Sequence, residues 1–527
     1  MPSHGHSGES LGRVDFEVSC TPPAQVEFNR AVALLHHMTY PQAREAFAQV
    51  SVTDPACAMA HWGVAMTLFQ PLWPTRPGPD ALQRGWKEVE RAQELAALSP
   101  VSERERLFIA AAEAFFLEPA GTDYWLRIRR WEGASEKTYQ ALPDDDEAAV
   151  FFALAHLATT PSSVISREHA DRAAAILLEV YKRNPDHPGV MHYLVHANDV
   201  PGRERESLEI TRKYEQVAPH KAHALHMPTH IYTRLGDWDG VIRGNLRAAE
   251  AALAQPAGDN GELVSDEFPH AIEYLVYAYL QQGEDSKAAA EIRRLQSTTH
   301  LEPTFKTAFH FVSTQARAAL ERQDWEAAFG IAPRQPSSLD WDRFAWPEAV
   351  AHFARGLGAA HLGKLFEARA EDTRLTELET AMTKAGEELF RRNIRILRLE
   401  LEAWIAHAEG KEEASLAGLR EAVEIETSTP KHAVTPGPTL PANELLGDLF
   451  MEQKKPAAAL IAYRLSLDAY PRRFRSLLGA ARAARAAGGN DAVATARKFY
   501  DELLTVASRG TRTKELQEAH RFVRSGR

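Results

Sequence analysis

The chain has 527 residues, 44% hydrophobic and 25% charged, a normal balance for a folded protein with a large core, in roughly two or three domains or one long repeat array. Its net charge of -11 is spread along the chain with no basic patch, so nucleic acid is not an expected partner. No apolar run approaches the ~18 residues that span a bilayer, and the N-terminus lacks a signal-peptide pattern. With only Cys20 and Cys57, a disulfide framework is excluded and even one bridge is not expected. These features point to a soluble, cytoplasmic protein without a membrane partner. The excess of Arg over Lys and the abundance of Ala hint at a GC-rich bacterial genome.

Residues 1–24 read as a polar N-terminal segment. Loss of the initiator Met would leave His4 third in the chain, an arrangement that can chelate copper, although short flexible tails of this kind are mostly inert. From residue 25 to 426, apolar residues recur at helical spacing and almost never alternate, so the main body is expected to be all-α. In Tyr40–Pro55, Ala43, Phe47 and Val50 share one face and Pro55 stops the helix; in the next helix Gly63 allows close helix approach. Cys57 and His61 lie four apart, but beside Met59 and Trp62 they read as packing residues. His36 and His37 are adjacent and cannot share a face.

Residues 71–79, rich in Pro, form a loop, and 118–147 reads as a second irregular insertion. Trp73, Trp125, Trp131, Trp341 and Trp346 lie in or near such stretches and are expected to anchor loops. Gly-Asp-aromatic and related turns recur near Gly236, Gly283, Trp325, Gly363 and Gly410. Residues 427–441 read as a loop or linker, and 442–527 as C-terminal helix pairs in which Gly447, Ala459, Tyr463 and Pro471 keep the spacing of one repeat. These residues resemble the tetratricopeptide repeat, which implies a right-handed solenoid of antiparallel helix pairs. Phrases such as CAMAHWGVAMTLF and ALHMPTHIYTRLGDW also look like a bacterial family of this type whose function is uncharacterised. That resemblance implies a fold and no catalytic residues.

The chemistry lies in the histidines. His192 and His196 form a His-x-x-x-His pair, and His226 and His230 repeat it 34 residues later, the period of the repeat. Four-residue spacing puts each pair on one helix face. With Ser207 and Val241 set as position 20 of their repeats, both pairs fall at positions 5 and 9, and His223 falls at position 2. In the next repeat His270, Glu273 and Tyr277 take positions 2, 5 and 9, and His310 follows at position 2 one repeat further. Such positions line the concave wall of a tetratricopeptide array.

Packed helices lie ~8–10 Å apart, so imidazoles on neighbours can meet at one ion. The expected site is therefore a divalent transition-metal centre of Zn, Fe, Cu or Ni. Its ligands would come from His192, His196, His226 and His230, with His223, His270 and Glu273 as further ligands, enough for one fully liganded ion or for two ions with open sites. Glu273 and Tyr277 are candidate acid–base groups, and Asp199 could ligate the ion or orient a histidine through its second nitrogen. The chain could then be a metal-dependent oxidative or hydrolytic enzyme acting on a small molecule.

The same wall suits a scaffold that binds a peptide or partner protein, and it leaves a homo-oligomer open. About one His-x-x-x-His pair is expected by chance, and repeats duplicate residues by descent. The 34-residue register and the seven histidines between His187 and His230 are what favour metal. Pro228, between His226 and His230, must either start a helix near Met227 or bend one.

Overall fold

The computed structural model describes residues 10–73, 76–121, 123–258, 261–489, 491–510 and 513–525, and His4 lies outside them. The described residues are helices joined by short turns, with isolated β-bridges and no β-strand among them. The chain divides into two compact units: residues 1–161 with 166–231, and residues 162–165 with 232–527. No helix of the described residues is long and apolar enough to cross a membrane.

In the second unit one set of helices packs in succession: Glu267–Gln281, Phe305–Glu321, Ala345–His361, Glu388–Ala408, Ala442–Glu452 and Phe474–Ala487. The helices between them form a second layer packed against that set. The layers differ in burial as their sequences require. Every residue of Glu267–Gln281 is buried, whereas Asp285–Ser297 buries only Ala288 and Leu295. This is the two-layered helix-pair array of the tetratricopeptide-like solenoid class.

Small residues sit where that packing demands them. A Cβ on Gly447 would lie 2.7 Å from the Tyr463 ring, and one on Gly63 would lie 2.1 Å from the Phe47 ring. Turn chemistry is equally local: Gly236 takes a left-handed φ of 65°, and the Asp237 carboxylate then accepts the Gly240 N–H at 3.0 Å to start the next helix.

In the first unit the segment before the first helix is not simply polar. Leu11, Val14, Phe16 and Val18 are buried in extended chain, and Phe16 packs among Phe28, Trp62 and Phe108. Residues 118–147, expected to be irregular, contain helix Tyr124–Ala141, capped by Asp123. The basic residues of that helix obscure its apolar face in the sequence. One of them, Arg127, is buried and donates to the carbonyls of Phe115, Leu117 and Glu118, closing the turn before the helix.

Cys20 and Cys57 form a disulfide, contrary to the expectation from their number. They lie 37 residues apart and join the start of helix Pro22–His36 to the N-cap of helix Ala58–Met66. Cys57 is thus no partner for His61, whose Nδ1 instead pairs with Glu88 at 2.7 Å. Closing a loop of this length restricts the unfolded chain by about 4 kcal/mol. Reduction, or Cys57→Ser, should therefore lower the denaturant midpoint of the first unit accordingly. Thiol titration of the unreduced, denatured protein should find no free thiol; two would contradict the bridge.

Candidate metal centre

Helix Pro188–Asn198 opens with Pro at its first position and with the His187 Nδ1 accepting the Val190 N–H at 3.3 Å. Apart from His196, which is half-buried, its described residues are buried. His192 donates from Nδ1 to the carbonyl of His36 at 2.6 Å. That carbonyl belongs to the last turn of helix Pro22–His36, where it has no intrahelical partner. The bond fixes the tautomer of His192 and leaves the Nε2 lone pair to face the Nε2 of His196, 3.2 Å away. His223, on helix Ala222–His226, stands nearly edge-on to His192 with ring centroids 5.0 Å apart. The three imidazoles offer ligand atoms within 4.8 Å of one another and could hold a metal ion.

The spacing carries chemical meaning. Two nitrogens ~2.0–2.1 Å from one ion, at angles near 90–110°, lie about 2.9–3.4 Å apart. His192 and His196 already have that separation. Burial, followed by the neighbouring His196 and His223 rings, holds the His192 pKa well below its ordinary value, so the ring is neutral, the form that binds metal.

Pro228 bends the chain without ending it. Helix Ala222–His226 stops one residue before helix Pro228–Leu235, and Met227 between them keeps right-handed helical angles. Thr229 Oγ1 donates to the His226 carbonyl at 2.6 Å across the bend. The four-residue relation therefore survives: the Nε2 atoms of His226 and His230 are 2.9 Å apart. His230 Nδ1 donates to Asp199 Oδ2 at 3.1 Å, the geometry of the orienting role, one of the two expected for that carboxylate.

The five imidazoles close a ring. Centroid distances are 5.0 Å for His192–His196, 6.4 Å for His196–His230 and 4.8 Å for His230–His226. His226–His223 at 6.5 Å and His223–His192 at 5.0 Å complete it. Trp73, from the proline-rich loop, stands edge-on to His223 at 5.4 Å.

His270, Glu273 and Tyr277 lie on helix Glu267–Gln281 of the second unit. His270 Nδ1 donates to His310 Nε2 at 2.7 Å, and His310 Nδ1 donates to Glu273 Oε2. The other Glu273 oxygen accepts from Ser313 at 2.6 Å and Arg317 at 3.3 Å. Burial raises the Glu273 pKa, but His310, Arg317 and Ser313 outweigh it, and the group stays a carboxylate. Glu273 is thus committed to orienting His310 and, through it, His270. The Tyr277 hydroxyl accepts from Arg473 at 2.7 Å, and burial pushes its pKa up.

One buried group was not singled out by the sequence. Glu147 accepts from His36 Nε2 at 2.9 Å and His187 Nε2 at 3.1 Å. These three could also hold an ion. Each ring nitrogen is already engaged, however, since His36 Nδ1 accepts from Tyr193 at 3.1 Å and His187 Nδ1 caps its helix. Burial raises the Glu147 pKa, but the facing His36 and His187 bring it down to a net depressed value. Because the signal for Glu147 comes from a distant helix with no motif, periodicity could not reveal it.

Fold and site together define a helical-repeat protein with a buried polyhistidine cluster. None of the protein-family models matches the chain, and no curated protein does. Among solved structures, the human IFIT1 dimer with PPP-AAAA is similar at 13% identity and a TM-score of 0.40, covering 93% of this chain and 96% of that one. The APC/C hetero-tetramer Cut9–Hcn1 is similar at 12% identity and a TM-score of 0.29, covering 96% of each chain.

Proposed function

We propose that this protein binds a transition-metal ion through His192, His196 and His223, and that the ion acts on a small molecule arriving from the side of His196. The observation that carries the reading is the convergence of three imidazoles whose closest nitrogens already have the separation of neighbouring ligands on one ion. The donor set favours Zn, Cu, Ni or Fe over hard cations. His196 is the most exposed of the three, so a vacant coordination position would open beside it. A peptide-binding scaffold needs accessible side chains at these positions, and His192 and His223 are buried. The Cys20–Cys57 bridge favours an oxidising compartment over the reducing cytoplasm.

Elemental analysis of protein purified without a His-tag tests the proposal. At least one transition metal per chain is expected, and His192→Ala combined with His223→Ala should remove one, since such sites bind tightly; a content below about 0.2 per chain counts as none. A wild-type content already below that level, and not restored by added Zn(II) or Cu(II), would overturn it.

A further inference from the structure

We infer that the histidine ring is a dinuclear centre: a second transition-metal ion binds at His226 and His230, beside the one at His192, His196 and His223. This rests on the single-ion reading and extends it.

Two observations point to separate ligand sets. The first is the spacing. His226 and His230 approach Nε2 to Nε2 at 2.9 Å, and His192 and His196 do so at 3.2 Å, both within the separation of adjacent ligands on one ion. Rings from the two sets are 6.4–6.5 Å apart between centroids. One tetrahedral ion takes four ligands and could not use five imidazoles disposed in this way. Two ions at the ~3.5–4 Å spacing of known two-metal sites could.

The second observation is that each set has its own anchor. The His36 carbonyl fixes His192, and the Asp199 carboxylate fixes His230. Thr229 Oγ1 lies 3.5 Å from His226 Nδ1 and gives its own hydrogen to the His226 carbonyl, so it is placed to accept from that nitrogen. In His192, His226 and His230, Nδ1 is turned to the protein and Nε2 faces a neighbouring imidazole, the arrangement by which proteins orient metal-bound histidines. Without metal, a proton shared within each pair satisfies the facing nitrogens, and each ion that binds displaces it.

The chemistry of the ring narrows the occupants. All five donors are imidazoles, which bind metal in their neutral form and suit copper or zinc. Asp199 contributes one negative charge, so two divalent ions require a bridging anion such as hydroxide. That bridging position is where a small anionic or oxygen-donor ligand would enter.

Metal-free protein titrated with Zn(II), and separately with Cu(II), then desalted and analysed for metal, tests the inference. Two ions per chain are expected. His226→Ala with His230→Ala should leave one, with folding checked by circular dichroism. Asp199→Asn, a milder change, should weaken the second ion about 10–100-fold and leave the first unaffected. With copper, two bridged Cu(II) ions should give an electron paramagnetic resonance spin count well below the copper bound. One ion per chain, unchanged by the His226/His230 substitutions, would overturn the dinuclear centre and leave the single-ion site standing. No ion in any preparation would overturn both.

Discussion

Arg473→Met is expected to destabilise the second unit by about 3–5 kcal/mol, the cost of removing one partner from a buried ion cluster. Arg473, Glu321 and Glu444 are fully buried. The guanidinium reaches Glu444 with Nε at 3.1 Å and Nη2 at 3.0 Å, Glu321 at 2.7 Å and the Tyr277 hydroxyl at 2.7 Å. Arg475 shares Glu444 at 3.2 Å and also pairs with Asp448. Without Arg473, Glu321 and Glu444 are left facing one buried cation, and Tyr277 loses its donor.

Lys at 473 should recover only part of the loss, because an ammonium cannot reproduce the two-pronged contact with Glu444. Glu321→Gln added to Arg473→Met should cost much less than the two single effects combined, since it removes a charge that the first change orphaned. Urea unfolding at constant m-value measures each effect. A loss below about 1 kcal/mol for Arg473→Met would show the cluster to be hydrated and weak.

Much of the architecture was legible because each repeat states its packing locally. Gly447 and Tyr463, or Gly63 and Phe47, are sixteen residues apart in either order, and each small residue faces the ring that requires it. Turns such as Gly236-Asp237 announce a helix end and the next start within two residues. Helix Tyr124–Ala141 was missed for the converse reason. Its buried Arg127 serves backbone carbonyls, and no periodicity rule reads a buried arginine as an inward-facing residue. The disulfide was missed because a count of two cysteines says nothing about their separation in space.

The candidate site divides in the same way. The 34-residue register related the pair His192 and His196 to the pair His226 and His230, and repeat position added His223; the structure keeps each pair together and brings His223 to the first. Position in a repeat does not reveal how open a wall is, and these side chains proved mostly buried. Nor does it reveal what holds each ring. The His36 carbonyl that orients His192 comes from a helix more than 150 residues earlier, and Trp73 comes from a loop. Such long-range partners carry no periodic signal. Asp199 could be foreseen because it closes the helix that bears His192 and His196.

In the metal-free protein, two buried histidines should each make stability fall with acid from about pH 6.5 downward. His37 is buried in the first unit, accepting from the Tyr214 hydroxyl at 2.8 Å and donating to the Leu11 carbonyl at 3.0 Å. Burial is the main cause of its pKa falling to about 3. His361, in the second unit, is stacked on Trp325 at 3.7 Å and lies 4.3 Å from Trp404. Burial, with Arg475 and His407 nearby, also lowers its pKa to about 3.

In the unfolded chain both rings titrate near 6.5, so between that value and 3 the unfolded state binds more protons. Their contribution is therefore full above pH 6.5 and falls with acid by about 1.4 kcal/mol per pH unit for each ring. By pH 4 each has removed about 3 kcal/mol, against the 5–15 kcal/mol of a typical domain. Carboxylates raised mainly by burial, Glu302 and Glu426 to about 7 and Asp372 to about 6, oppose the trend by taking up protons in the folded state, and so does His352. Burial lowers its pKa, but Glu348 and Glu371 raise it further, so its stabilisation is present in acid and is lost as pH rises through the raised value. Urea midpoints from pH 7.5 to 4 measure the balance, and His361→Gln should flatten the slope of the second unit by one proton's worth. A slope of the second unit left unchanged by His361→Gln would mean that this ring takes up protons in the folded state, and so that water reaches it. The ring at His37 reports directly on the N-terminal segment, since Leu11 supplies the carbonyl that its Nε2–H donates to. Loosening that segment should raise the His37 pKa toward 6.5 and remove its share of the acid sensitivity.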